Sequence, residues 1–129
     1  MKRVIAILFT VSTLTMSLYG YDQTERIQDM QKMESAMSEI QKGILYNNKK
    51  MVLEGVENLK KASANLEVAP KGHMDYSTIF AKQQSKNIMK YSEKIKSHME
   101  AGRKHGAVKN YTKVLGECVS CHNKIRKWD

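Results

Sequence analysis

Two cysteines and a histidine near the C-terminal end of the chain could carry chemistry. The segment GECVSCHNKIRKWD, residues 116–129, places Cys118 and Cys121 three positions apart, and His122 follows directly. These are the only two cysteines in the sequence. Two thiols and an imidazole at this spacing can ligate a metal, form a redox-active dithiol or attach a haem group.

The order Cys-x-x-Cys-His favours haem attachment over the other chemistries. A structural zinc site needs four nitrogen or sulfur ligands, and the chain has no second cysteine pair. A thioredoxin-like dithiol is expected in a βαβ context, which we do not find, and a disulfide across so short a loop would constrain little. None of these gives His122 a role. Two thiols one helical turn apart can each form a thioether to a haem vinyl group, and the adjacent imidazole can reach the iron. The sequence therefore predicts one covalently attached haem c, held by Cys118 and Cys121, with His122 as an iron ligand.

The N-terminus predicts export, which suits c-type haem because that group is attached outside the cytoplasm. Lys2 and Arg3 precede an apolar run from Val4 to Leu14, and small residues follow at Ser17 and Gly20. This is the order of a cleavable signal peptide, and the run is too short to span a bilayer. We expect residues 1–20 to be the signal peptide, with cleavage after Ser17 as the close alternative, and residues 21–129 to form one domain in the periplasm.

The chain is basic, with 22 Lys and Arg against 13 Asp and Glu and a formal net charge of +9. Removal of Lys2 and Arg3 with the signal peptide would lower this charge to +7. An exported protein does not ordinarily meet nucleic acid, so acidic protein partners, anionic lipid or an anionic cofactor are better candidates. Simple solubility is the other explanation of the same charge.

Four stretches of apolar residues at steps of three and four predict four helices and no strand. We expect the helices at about 23–46, 49–67, 76–101 and 105–127, with Asn47 and Asn48 ending the first. A break at 68–75 contains the only proline, and Gly102 and Gly106 bracket a short turn. The expected apolar stripe of the last helix is Val108, Tyr111, Leu115, Cys118, His122 and Ile125.

Short connections between amphipathic helices predict an all-α fold, an antiparallel up-down-up-down four-helix bundle. In that topology the cysteines and histidine lie on the buried face near the C-terminal end of the last helix. They would be close to the start of the first helix and to the 68–75 loop. His98 and His105 would lie at the far end of the bundle, as surface residues.

The chain resembles the cytochrome c′ family of exported four-helix bundles, which carry one haem near the end of the last helix. That family follows Cys-x-x-Cys-His with an aromatic residue and then a basic one; here Ile125 departs from the aromatic and Arg126 matches the basic residue. In the first helix the family tends to show Arg-x-x-x-Leu or Arg-x-x-x-Met, and Arg26-Ile-Gln-Asp-Met30 fits. The resemblance covers residues 22–129 in architecture but only about ten residues in motif.

The resemblance implies that function depends on the residue that faces the second side of the iron. Family members with Leu there bind gases, and members with Met there carry electrons in a low-spin state. Met30 occupies the corresponding position here, although a Met stripe at helical spacing usually fills a core. Met33, Met37 and His73 are the alternatives as ligands. Arg26 and Arg126 are candidates to neutralise the haem propionates, and a cation at a helix C-terminus is the other explanation of Arg126.

We therefore expect a periplasmic monohaem c-type cytochrome that carries one electron, not an enzyme, working with acidic redox partners. The alternative is a five-coordinate cytochrome c′-type protein that binds NO or CO. A Cu(I) module built on Met30, Met33 and Met37 is a third hypothesis, but it leaves Cys118 and His122 without a role. The family resemblance also suggests a homodimer.

Overall fold

The computed structural model describes residues 23–67 and 78–125. Within these ranges the chain is all-helical and contains no strand, as the sequence predicts. The predicted signal peptide, the 68–75 break with His73, and Arg126 lie outside the described residues. The four helices are α1 (Gln23–Leu45), α2 (Lys49–Ala64), α3 (Thr78–Glu100) and α4 (Lys104–Ile125), and a 3-10 turn, Asn65–Glu67, follows α2.

Local residue chemistry explains where the helices end. Asn47 has a φ of 56° and so stops α1 in the left-handed region, which asparagine tolerates better than most residues. Asn48 then caps α2, because its side-chain oxygen accepts a hydrogen bond from the Met51 backbone N–H at 3.1 Å. Gly102 has a φ of 71° and ends α3 in the same way. The predicted helix ends agree with the structure to within a few residues.

One core of apolar side chains lies between the four helices, an arrangement consistent with a four-helix bundle. Six large apolar side chains, drawn from all four helices, have no exposed surface, and these are Ile40, Val52, Val56, Leu59, Ile95 and Val114. Met33 and Met37 belong to the same core, so the Met stripe of α1 does point inward. Buried serines accompany them, and Ser85 Oγ donates to the Ser63 carbonyl at 3.0 Å to join α3 to α2.

Some pairs of helices pack more closely than others. α1 and α2 approach most closely, because Gly43 and Gly55 have no side chain: a Cβ on Gly55 would lie 3.0 Å from the Ile40 backbone nitrogen. α3 packs against α4, and here His98 rests on Gly106. α1 and α4 meet only narrowly, and one contact between them is the bond that the Tyr111 hydroxyl donates to Gln41 Oε1 at 3.3 Å.

The predicted apolar stripe of α4 is partly wrong. Val108 and Leu115 are 43% and 47% exposed, and His122 is exposed as well. The residues that α4 buries are Ala107, Asn110 and Val114. The buried face is thus rotated from the predicted one. Of its three residues only Val114 is a large apolar side chain, so a search for large apolar side chains does not identify this face.

His98 also differs from its prediction as a surface residue, because it is only partly exposed and its Nδ1 is buried. His105 is exposed, as expected. In the described part of the chain, every helix is too polar or too short to cross a bilayer.

Candidate functional site

A pocket of about 560 Å³ lies between the first half of α1, the first half of α3 and the second half of α4. Its size is within the range of 300–1,000 Å³ that is usual for sites that hold small molecules or cofactors. Most of its walls are apolar, and they include Ile27, Met30, Met33, Met37, Leu66, Ala81, Ile88, Leu115, Val119 and Ile125.

The α4 wall of this pocket carries the residues of the Cys-x-x-Cys-His motif. Cys118, Cys121 and His122 all line it, because they occupy successive positions on one side of the helix near its end. Both cysteines are partly buried free thiols, and His122 is exposed at the rim. The motif therefore opens into an apolar pocket rather than onto a flat surface.

The pocket raises the pKa of both thiols. For Cys118 the main cause is burial, and the neighbouring Cys121 adds to it when that thiol is ionised. Burial also raises the pKa of Cys121, and the positive charge of Arg26 opposes the rise. Since an unperturbed thiol already ionises above neutral pH, both side chains are protonated at pH 7.

The α1 wall brings Met30 and Arg26 to the same pocket. Met30 is partly buried and packs against the edge of the core, whereas Met33 and Met37 are only 5% and 8% exposed and belong to the core itself. Arg26 is 6% exposed although it lies in the first turn of α1. Five of the predicted site residues therefore line one pocket: Cys118, Cys121, His122, Met30 and Arg26.

Glu117 is a pocket residue that the sequence does not reveal. Its Oε2 accepts a hydrogen bond from Asn87 Nδ2 at 3.0 Å, and the Gln84 amide can donate to the same oxygen at 2.9 Å. These two amides from α3 fix the carboxylate on the α4 wall next to Cys118, and its charge also raises the pKa of that thiol. The contacts depend on how α3 and α4 align, and no motif encodes that alignment.

Neither His98 nor His105 lines this pocket. His98 packs on Gly106 near the turn between α3 and α4, at the opposite end of α4 from Cys118. His73 and Arg126 lie outside the described residues.

A separate groove of about 380 Å³ over α1 and α2 is polar and has different chemistry. It is lined by lysines, amides and carboxylates, including the buried Asp29, which accepts hydrogen bonds from Lys32 Nζ at 3.1 Å and Asn65 Nδ2 at 2.9 Å. No thiol, thioether or imidazole lines this groove, so it offers nothing to a haem group.

The residues present in the apolar pocket fit a c-type haem. The macrocycle is large and apolar, and Ile27, Leu115 and Val119 present half-exposed apolar side chains to the pocket, at 48%, 47% and 42% exposure. The two thiols and the imidazole required for attachment and ligation lie on one wall. Arg26 also lines the pocket and carries a positive charge, which suits a propionate carboxylate.

Comparison of the chain with protein-family models, with curated proteins and with solved structures found no match. The resemblance to the cytochrome c′ family therefore remains a prediction that rests on the motif residues.

Proposed function

We propose that this chain is a monohaem c-type cytochrome that carries one electron. In this proposal residues 1–20 direct export to the periplasm, and residues 21–129 form an antiparallel four-helix bundle that resembles cytochrome c′. The observation that carries the proposal is that Cys118, Cys121 and His122 share one wall of an apolar pocket whose other wall holds Met30.

Contacts between helices support the antiparallel arrangement. The start of α1 meets the residues after α2, where Asn65 bonds to Asp29, and the end of α1 meets the start of α2, where Gly43 lies against Val52. Between α3 and α4, Asn87 meets Glu117 and His98 meets Gly106. In both pairs, residues later in one helix meet residues earlier in the next.

The two thiols and His122 divide the work of holding the cofactor. Cys118 and Cys121 would each form one thioether, with the sulfur added to one carbon of a vinyl group and a proton to the other, and their spacing of one helical turn would present both to a single macrocycle. His122, one residue on, would supply a nitrogen ligand to the iron. When bound, haem c supplies one-electron chemistry at its iron, with a potential set by the axial ligands and the polarity of the pocket.

We infer that Met30 would be the second protein ligand of the iron. It lies on the wall across the pocket from the motif helix, and it is more exposed to the pocket than Met33 or Met37, which fill the core. A thioether ligand raises the reduction potential and favours a six-coordinate, low-spin iron. The apolar walls limit the access of water to the iron.

Arg26 and Arg126 complete the proposed site as partners of the haem propionates. Charge-assisted bonds between a guanidinium and a carboxylate are stronger than neutral ones. The buried position of Arg26 in the pocket supports this role. Acidic redox proteins are the proposed partners, a homodimer is the proposed assembly, and no role with nucleic acid or in catalysis is proposed.

The first experiment tests covalent attachment. Protein matured in a host that assembles c-type haem should keep its haem through acid–acetone extraction and show the haem absorption bands on a denaturing gel. Replacement of both cysteines, Cys118→Ala with Cys121→Ala, should abolish this retention. Haem that leaves the unmutated protein with the solvent would disprove the attachment, and the electron-carrier proposal with it.

The second experiment tests the sixth ligand and separates the carrier from a gas binder. The ferrous protein should be low-spin and should take up CO slowly, whereas Met30→Ala should be high-spin, bind CO quickly and have a lower potential. Met33→Ala is the matched control: it removes the same side chain from a core position, costs about 2 kcal/mol or more and leaves the spin state unchanged. If the unmutated ferrous protein is already high-spin and binds CO at once, the NO- or CO-binding alternative replaces the carrier.

A further inference from the structure

The outer side of α3 and α4 carries a concentrated positive charge. Lysines recur every four residues along α3, and two lysines of α4 lie against the same helix. All six are exposed, and we refer to them together as the lysine face: Lys82, Lys86, Lys90 and Lys94 of α3, with Lys113 and Lys124 of α4.

The lysine face differs from the charged contact between α2 and α3 because no carboxylate in the described part of the chain neutralises its lysines. Between α2 and α3, Lys60 pairs with Glu93 and Lys96 pairs with Glu57 at 3.6 Å, and Lys60 also pairs with Glu57 within α2. Among the residues that the structure describes, no ion pair includes a lysine of the lysine face.

The nearby carboxylates are engaged elsewhere. Glu117, on α4, accepts its hydrogen bonds from the α3 amides of Asn87 and Gln84. Glu93, on α3, is bonded to Lys60 on the α2 side. A face of six like charges therefore keeps an outward positive potential, which is unfavourable for the isolated protein and useful only toward an anionic surface.

Aromatic rings hold several of these lysines in place. Lys113 Nζ lies 5.3 Å from the centre of the Tyr91 ring and Lys90 Nζ lies 5.8 Å from it, so one ring on α3 receives a lysine from each helix. Lys124 Nζ lies 4.4 Å from the centre of the Phe80 ring. Cation–π contacts at these distances favour a defined position of the ammonium groups.

The same contacts argue for a protein rather than a lipid partner. Binding in a bilayer interface requires apolar side chains that project into it, whereas on the lysine face the rings of Tyr91 and Phe80 have lysines over them. One exposed apolar residue, Ile79, lies beside Lys82 at the start of α3. A single side chain of this kind gives little anchoring.

The lysine face also lies close to the candidate haem pocket. The inner side of α3 lines that pocket through Ala81, Gln84 and Ile88, and the lysines occupy its outer side. α4 carries Lys113 and Lys124 on either side of the cysteine motif in sequence. A partner on the lysine face would be separated from the pocket by one helix, roughly 10 Å in diameter.

We propose that the lysine face is the docking surface for an acidic redox protein. The identity of the partner as a redox protein rests on the proposed function; the surface itself rests on the six unneutralised lysines. Complementary charge at such a contact raises the rate of encounter and selects the partner, while the small area lets the complex separate after each transfer.

The test compares two triple variants with the same change in net charge. The face variant is Lys86→Gln, Lys90→Gln and Lys113→Gln. The control variant is Lys49→Gln, Lys50→Gln and Lys61→Gln, which removes three exposed lysines from α2. The haem-loaded protein is titrated with poly-L-glutamate at low salt, and its reduction by an acidic plant-type ferredoxin is followed by stopped flow.

We expect the face variant to lose about ten-fold in affinity for poly-L-glutamate and in the second-order rate constant, and the control to lose less than about two-fold. Amide shifts on titration should map to α3 and α4. Both differences should disappear at 1 M salt, where charges are screened within about 3 Å. Equal losses in the two variants would show that only net charge matters and would overturn the proposal.

A lipid partner is tested in the same variants. If vesicles of phosphatidylglycerol bind through the lysine face while poly-L-glutamate does not, a membrane replaces the protein partner and the proposal is wrong.

The two measurements also separate this proposal from the proposed function. The titration needs no haem, so a chain without covalent haem can still bind poly-L-glutamate through the lysine face, which would disprove the cytochrome and not the surface. Poly-L-glutamate binding at the lysine face combined with ferredoxin rates that are equal in both variants would show that this surface does not serve electron transfer.

Discussion

α1 meets its two neighbours in different ways. Toward α2 the contact is closed: Gly43 and Gly55 let the backbones approach, and Ile40 is fully buried between them. Toward α4 the contact is narrow and opens into the pocket, where Ile27 and Leu115 remain about half exposed. Small residues allow α1 and α2 to pack closely, and we call this contact the closed seam. Large apolar residues of α1 and α4 instead line an open pocket, so α1 belongs both to the α1–α2 hairpin and to the candidate site. The closed seam should tolerate little change, whereas the pocket should tolerate truncation of its walls.

The largest expected difference between the two regions comes from removing a side chain in each. Ile40→Ala should lower the free energy of unfolding by about 2–5 kcal/mol, because it leaves a cavity in the closed seam. Leu115→Ala in the pocket wall should cost less than about 1 kcal/mol, because that side chain is already half exposed. Urea unfolding of both variants measures this. Equal losses would show that Leu115 is packed as firmly as Ile40, and the comparison would fail.

Adding a methyl group to the closed seam should also destabilise the protein. A Cβ on Gly55 would lie 2.8 Å from Ile40 Cγ1 and 3.1 Å from the Ala36 carbonyl oxygen, and the second of these is backbone that cannot turn aside. Gly55→Ala should therefore reduce the free energy of unfolding by about 1–3 kcal/mol. The thermal midpoint of unfolding is the measurement, and an unchanged midpoint would mean that the two helices can separate without cost.

The same substitution, glycine to alanine, should have the opposite effect on stability in α4, the helix that carries the cysteine motif. Gly116 lies two residues before Cys118, and a Cβ there would meet no atom within 4 Å. Gly116→Ala should stabilise α4 by about 0.5–1 kcal/mol, because alanine loses less backbone freedom than glycine on helix formation. The thermal midpoint of unfolding of Gly116→Ala is compared with that of Gly55→Ala, which contrasts the pocket helix with the closed seam. A midpoint below that of the unmutated protein would show that the added methyl group meets a contact on the outer side of α4.

The smallest expected effect is that of pH on the charged contact between α2 and α3. The hydrogen bond from Lys60 holds the pKa of Glu93 below its ordinary value, so the pair stabilises the folded state above about pH 4.3 and loses this contribution as the pH falls through the lowered pKa. Because Glu93 is largely exposed, the contribution is less than about 1 kcal/mol. Glu93→Gln should lower the urea midpoint slightly at pH 7, and the difference should shrink as the pH falls through the lowered pKa of Glu93. A difference of the same size at pH 3 would show that packing, not charge, is responsible.

Local sequence signals predicted the helices well. Asn47 and Asn48 end one helix and cap the next, Gly102 ends the third, and the Met stripe at helical spacing includes Met33 and Met37, which lie in the core. Each of these signals depends only on neighbouring residues. This is why the all-α fold could be predicted from the sequence.

The buried face of α4 could not be predicted in the same way. The large apolar residues of this helix include Leu115 and Val119, which face the pocket, whereas the core positions hold Ala107 and Asn110. Apolar residues on a helix mark any apolar surroundings, whether a core or a binding pocket, so periodicity alone combines the two. For a helix that lines an apolar pocket, periodicity will therefore assign pocket residues to the core.

The residues of the candidate site also differ in whether the sequence could predict them. The motif predicted Cys118, Cys121 and His122, and the structure places all three on one pocket wall. Glu117 was missed, since its role depends on Asn87 and Gln84 of the neighbouring helix. Met30 and Arg26 line the same pocket, and the spin-state and CO measurements described above test Met30 as an iron ligand.

The sequence separation of contacting residues, as in the hydrogen bond between Tyr111 and Gln41, favours one order of assembly for the helices. It joins residues 70 positions apart, whereas the bond from Asn58 to Glu39 in the closed seam joins residues 19 apart. Closing the longer loop costs about 1 kcal/mol more in chain entropy, and during synthesis α4 is the last of the four helices to leave the ribosome. The α1–α2 hairpin can therefore form while α4 is still absent. The pocket, whose walls come from α1, α3 and α4, is completed last, so the thiols of α4 stay accessible until the final stage of folding.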